Sequence, residues 1–213
     1  FRREYLATLE TMGGRVYSEF DRDIHVRDDL LQADQVSELF VGIDFNVSPM
    51  TAVIATKPSK DQLHIIDEIY LIDSNTHELG SELLRRYPNH KINAYPDPAG
   101  RHRKTVGNIG VTDFVQLEQF GFNVFAPSRI NSVQDGINTV QSALRTADGE
   151  ANLYISPKCR HMISSLERFV YKDGTAIPDK KGGYDHMCDC LRYLCSVERP
   201  ILQIVPKFDI KFA

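Results

Sequence analysis

The sequence predicts an α/β domain built on a mixed sheet, and three observations predict it. Three β-rich runs follow one another through residues 39–72 with only short turns between them. Helical and extended segments then alternate as far as residue 155, and a helical stretch over 184–197 closes the pattern. Runs joined by short turns pair as an antiparallel meander, whereas strands separated by helices cross over and pair in parallel. At 213 residues with 42% hydrophobic content, the chain is long enough to bury one full core.

Leu39–Phe45 (LFVGIDF) is the first run and ends in the polar turn NVSP. Thr51–Thr56 (TAVIAT) is the second, followed by a turn over Lys57–Asp61; Gln62–Ile72 (QLHIIDEIYLI), rich in β-branched residues, is the third. Ser74–Tyr87 reads as a helix with an N-cap at Ser74 or Asn75 and apolar Leu79, Leu83 and Leu84, stopped by Pro88. Lys91–Tyr95 is a strand, and Ile109–Phe120 a helix ending at Gly121. Phe122–Phe125 is a strand, and Ser132–Thr146 a helix with Val133, Ile137, Val140 and Leu144 on one face. Leu153–Ile155 is a strand, Cys159–Phe169 a helix, Val170–Pro178 a hairpin turning at Asp173-Gly174, and Tyr184–Val197 the last helix. Residues 1–38 are polar and irregular, broken at Gly13-Gly14, and read as a lead-in that packs on the domain of residues 39–200; 201–213 form a tail. The start without Met or an apolar leader suggests a piece of a longer polypeptide.

No run of eighteen apolar residues exists, so no membrane span is expected. Cys159, Cys188, Cys190 and Cys195 form no CxxC pair and read as reduced apolar filler of a cytoplasmic protein. The net charge of −4 gives no overall basic signal, so a nucleic-acid partner would have to be held by local patches or through metal ions.

Three places carry acids that a core does not explain. Ligands of α/β sheets gather at the carboxyl ends of strands. Asp44 lies at such an end, between Ile43 and Phe45, where burial of a carboxylate needs compensation; the plainer reading is an Asx-turn opening NVSP. Asp97 leaves the strand INAY between two prolines, at a rigid exit that is also an ordinary turn sequence. Asp185, His186 and Asp189 share a stripe at the start of the last helix, where capping by Asp185 beside a solvated Asp189 is the plainer account; Arg192 can pair with either acid. Hard oxygen ligands at two strand ends and on one helix suit Mg²⁺ in a phosphodiester cleft. Glu68 in IIDEIYL is an additional candidate, supporting Asp44 or a metal-bound water.

Several segments resemble the C-terminal nuclease domain of the large terminase subunit of tailed bacteriophages. GGRVYSEFDRDIHV resembles the approach to that domain, VGIDFNVSPMTAVIA its first two strands, IIDEIYL its third strand, AYPDPAG its second acidic motif, and YDHMCDCLRYL its last helix. The AYPDPAG and DHxxDxLRY elements, in this order and spacing, are the more specific ones. The resemblance implies a ribonuclease-H-like fold and an endonuclease holding two divalent ions, Mg²⁺ or Mn²⁺, that cuts concatemeric viral double-stranded DNA. It assigns Asp44, Asp97 and Asp189 as catalytic metal ligands with His186 at the second ion, leaves Asp185 open, and makes Cys190 a packing residue. It further implies an ATPase domain in the same polypeptide, portal protein and small terminase subunit as partners, and the host cytoplasm as location. No GxxxxGK[ST] loop is present in this chain.

DNA contacts are expected from Arg101, His102, Arg103 and Lys104 just beyond Asp97, and from Lys172, Lys180 and Lys181 on a glycine-bearing segment before the last helix. Three other functions compete. A resolvase or transposase of related fold would use similar acids on branched or end-specific DNA. An actin-like ATPase would need a glycine-rich loop where this chain has NVSP. A non-catalytic DNA clamp or assembly module would carry the same acids as structural groups.

Overall fold

The computed structural model describes residues 14–101, 112–125 and 132–200. A one-turn helix α1 (Arg22–His25) precedes three strands, β1 (Glu38–Asp44), β2 (Met50–Thr56) and β3 (Leu63–Leu71). There follow α2 (Thr76–Arg86), β4 (Lys91–Pro96), α3 (Asp113–Gln119), β5 (Asn123–Val124), α4 (Val133–Leu144), β6 (Leu153–Ile155), α5 (Arg160–Arg168) and α6 (Asp185–Glu198). The six strands form one sheet in the order β5-β4-β1-β2-β3-β6. The meander β1-β2-β3 is antiparallel, and β4, β5 and β6, each reached through a helix, pair in parallel. This is the predicted mixed α/β architecture.

The helix ends follow local chemistry. Asn75 accepts from the Glu78 N–H at the start of α2, with Arg85 and Arg86 in the last turn favourably placed against the helix dipole. Ser132 and Asp135 form a reciprocal capping box on α4. Gly121 takes φ +82 just after α3, a conformation costly for any residue with a Cβ. Between α5 and α6, Tyr171 and Pro178 form an isolated antiparallel bridge around Gly174 at φ +65, so the predicted hairpin is present as a minimal one.

Two apolar layers sandwich the sheet. Leu39, Val41 and Ile43 of β1 face Leu79 and Leu83 of α2 and Leu117 of α3. On the other face, Val53, Leu63 and Ile65 pack with Ile137 and Val140 of α4, Met162 and Leu166 of α5, and Leu191 and Leu194 of α6. Val16, Tyr17 and Phe20, from the segment read as a lead-in, bury themselves in this second layer. A bulge in β3 opposite Ile54 and Ala55 leaves Ile66 as the extra residue and switches the alternation, so Leu63 and Ile65 serve one layer and Ile66 and Ile69 the other. All four cysteines are buried free thiols. No helix among the described residues is long and apolar enough to cross a membrane.

Candidate active site

Parallel pairing of β1 with β4, in register at Ile43 and Pro96, sends Asp44 and Asp97 out of the same edge of the sheet. The Asp97 N–H donates to the Ile43 carbonyl at 3.0 Å, tying the second acid's backbone to the residue before the first. The Asp97 carboxylate also accepts from the Ala99 N–H at 2.9 Å. The turn reading and the site reading therefore hold together: the Asx-turn fixes the carboxylate at the exit. The loop then folds onto β1, where a Cβ on Gly100 would meet the Phe45 ring at 2.3 Å.

Helix α6 reaches this edge because β1 has no side chain at Gly42. A Cβ there would lie 2.1 Å from the Cys190 carbonyl oxygen, so helix and strand backbones are in contact. Cys190 fills the adjoining space and its thiol donates to the Thr51 carbonyl at 3.3 Å. The close approach carries His186 to Asp44, with Nδ1 at 2.9 Å from Oδ2. Burial raises the Asp44 carboxyl above its usual range, with Asp189 and Asp97 adding repulsion, while the His186 contact opposes the rise. Hydrogen bonding to Asp44 raises the His186 imidazole, against the effect of its partial burial. The Asn46 side-chain amide lies 3.3 Å from His186 Nε2.

The simple capping account of the helix start fails. Tyr184 is the N-cap residue of α6 and no side chain caps it; Asp189 is largely buried rather than solvated. Asp185, 3% exposed, receives the Lys180 ammonium at 3.1 Å on Oδ2. Its buried Oδ1 has no hydrogen-bond partner among the described residues, and His186 Nε2 lies 3.9 Å from it. The same Lys180 ammonium lies 3.5 Å from Asp189 Oδ2. Asp189 Oδ1 accepts from both Nε and Nη2 of Arg192, at 3.1 and 3.0 Å. Tyr193 on the same helix has its phenol raised, by burial first and then by Asp189, with Asp97 and Asp44 contributing. All three predicted acids thus lie within electrostatic reach of one another.

The donors are hard carboxylate oxygens and one imidazole, and the orphaned Asp185 oxygen accepts no hydrogen bond from a described residue, which is the chemistry that suits a divalent cation. Among the described residues, however, no three His, Cys, Asp or Glu side chains converge at the spacing of a ligand set. His186 instead contacts Asp44, Lys180 bridges Asp185 and Asp189, and Arg192 holds Asp189.

Glu68 does not support Asp44. Its carboxylate accepts from the N–H groups of His161 and Met162 at 2.9 and 2.8 Å and caps α5, which has no cap of its own. Asp67, on the opposite face of β3, pairs with Arg86 and Tyr87. Of the predicted DNA contacts, Arg101 sits over the Phe114 ring and Lys180 is turned onto the acids. Lys172 and Lys181 line a groove of about 530 Å³ with Val133, Ile177 and Pro178. His102, Arg103 and Lys104 lie outside the described residues. Of the two acids the sequence offered Arg192, the structure pairs it with Asp189; the contact of Asn46 with His186 is an addition from the structure.

No protein-family model matches the sequence, and no curated protein matches it. Solved structures do. The large terminase of a thermophilic bacteriophage superposes with a TM-score of 0.67 at 20% identity over 86% of this chain. The P22 large terminase nuclease domain matches over 86% of this chain and 91% of its own, with a TM-score of 0.64 at 16% identity. The fold is that of the large-terminase nuclease domains. A third structure of this fold, the large terminase nuclease from the thermophilic phage G20c with bound cobalt, covers 86% of this chain and 97% of its own at 14% identity, with a TM-score of 0.58. These matches cover 86% of the present chain, whereas the chain covers only 45% of the first of these proteins.

Proposed function

We propose that this chain is the metal-dependent endonuclease domain of a viral DNA-packaging terminase, cutting concatemeric double-stranded DNA by two-metal phosphodiester hydrolysis. One observation carries the reading: Asp44, Asp97 and the acids of α6 meet at one end of a sheet whose fold is shared with a nuclease crystallised with cobalt. Asp44, Asp97 and Asp189 would hold Mg²⁺ or Mn²⁺, with His186 at the second ion. Such ions would lower the pKa of an attacking water and stabilise the leaving oxygen.

The chain's own groups supply the framing. The turn at Asp97 and the contact of Gly100 with Phe45 fix the second acid relative to the first. His186 orients Asp44 and offsets the repulsion it feels from Asp189. Arg101, Lys172 and Lys181 would take backbone phosphates without reading sequence. In the complete protein, residues 39–200 would be the nuclease, 1–38 its connection to an ATPase domain and 201–213 a tail. Portal protein and small subunit would be partners, and the host cytoplasm the location.

The test is nicking of supercoiled plasmid by the 213-residue chain in Mn²⁺, with EDTA as control. Metal-dependent conversion to open circles is expected. DNA retention without cutting in Mn²⁺ would overturn the reading in favour of a non-catalytic clamp.

A further inference from the structure

Arg192 stands three residues after Asp189, a spacing at which exposed ion pairs contribute little. This pair is not exposed: both side chains are only 12% accessible. The Arg192 stem lies flat on α4 at Gly136, where a Cβ would come within 2.4 Å of Cγ and 2.5 Å of Cδ. Its guanidinium lies 4.7 Å from the centre of the Tyr193 ring. Held on both sides, it directs Nε and Nη2 to one and the same oxygen, Asp189 Oδ1. The other oxygen, Oδ2, lies 3.5 Å from the Lys180 ammonium, which also meets Asp185.

We propose that Arg192 is a positioning residue: seated on Gly136, it commits Oδ1 of Asp189 and presents Oδ2 alone to the cation site. This deepens the metal-dependent reading above and rests on it. The planar fork of arginine fixes the direction of a carboxylate in a way the point charge of lysine does not. Groups that orient metal ligands from behind contribute about 10–100-fold to metal affinity. A seat of this kind also explains a glycine inside α4, where alanine is the better helix former.

Two variants keep the positive charge while spoiling the geometry. Arg192→Lys removes the fork, and Gly136→Ala, outside the acid cluster, displaces the stem. Mn²⁺ binding to the 213-residue chain, by calorimetry or by electron paramagnetic resonance of free Mn²⁺, is the readout, with thermal melting alongside. The dissociation constant is expected to rise about tenfold or more in both, without a matching fall in melting temperature. Wild-type affinity in either folded variant overturns the positioning role and leaves Arg192 as a structural ion pair. Should Gly136→Ala fail to fold, Arg192→Lys decides alone. Absence of Mn²⁺ binding by the wild type would instead defeat the metal-dependent reading itself, and the inference with it.

Discussion

Gly42→Ala tests how the sheet sets the site. The added methyl would sit 2.1 Å from the Cys190 carbonyl oxygen, 2.8 Å from its carbon and 3.1 Å from Val53 Cγ2. Ordinary carbon–oxygen contacts lie at about 3.3–3.6 Å, so α6 has to retreat from β1 by about 1 Å. The obstacle is helix backbone, not the tip of a flexible side chain, so the cost belongs at the upper end of the overpacking range, about 3 kcal/mol. His186 and Asp189 lie within about one turn of Cys190 on α6, and the retreat carries them from Asp44. A misplacement of about 1 Å in a catalytic constellation costs roughly 100-fold in rate. Urea unfolding and Mn²⁺-dependent nicking, measured on one preparation, should therefore both fall, with nicking per folded molecule down about a hundredfold. Stability within about 0.5 kcal/mol of wild type together with unchanged nicking would refute the claim that contact with the Gly42 backbone sets the distance between the acids.

Asp97→Ala gives up one hydrogen bond to an exposed N–H and should cost the fold about 0.5–1.5 kcal/mol while abolishing plasmid nicking; full nicking would remove Asp97 from the site. Glu68→Ala uncaps α5 and should lower stability by about 1–2 kcal/mol with nicking per folded molecule unchanged; a selective loss of cutting would return Glu68 to the site. Burial lowers the His64 imidazole, whose Nδ1 accepts from the Leu31 N–H. The fold thus favours neutral His64: its contribution is whole above the unfolded pKa of about 6.5 and is lost as pH falls from there toward the lowered folded value. Melting at about pH 7.5 and about pH 5.5, on either side of that value, should show a drop that is smaller in His64→Gln, and an equal drop in both would assign it to other groups. Mn²⁺ at about 100 times its dissociation constant should stabilise the chain by about 2.7 kcal/mol, reversibly with EDTA; the same gain in Asp44→Asn would place the ion elsewhere.

The fold was legible wherever it depends on neighbours in sequence. The turns NVSP and Lys57–Asp61 mark the meander, and the stop at Pro88 and the glycine at 121 mark the ends of α2 and α3. Asp44 and Asp97 were visible because each interrupts an apolar strand at its exit, and Asp185, His186 and Asp189 because a helical repeat stacks them. What sequence hid was contact at long separation. Glu68 meets α5 ninety-three residues away, so alternation along β3 gave it a face but not a partner. Gly42 looked like any strand glycine until α6 crossed it, and Gly136 until Arg192 lay on it. Lys180 was legible as a cation on a glycine-bearing segment; that it turns inward onto Asp185 follows from where that segment re-enters the fold.

The acid cluster poses a problem that any such site must solve before it meets a cation. Carboxylates gathered at one sheet end repel one another, and burial adds to the cost, as the raised Asp44 carboxyl records. The structure answers with three cationic groups of different commitment. Arg192 is packed against α4 and accessible over only 12% of its side chain, so its charge is a fixed part of the fold. His186 carries its charge to the extent that Asp44 favours its protonated form. Lys180 is 64% accessible and sits before Gly182 and Gly183, so its departure breaks two ion pairs and little packing. The least committed charge therefore covers Asp185 and Asp189, beside the one buried carboxylate oxygen that lacks a donor among the described residues. Of the three cations, Lys180 is thus the one whose release costs the fold least, and it stands beside an oxygen to which no described group donates.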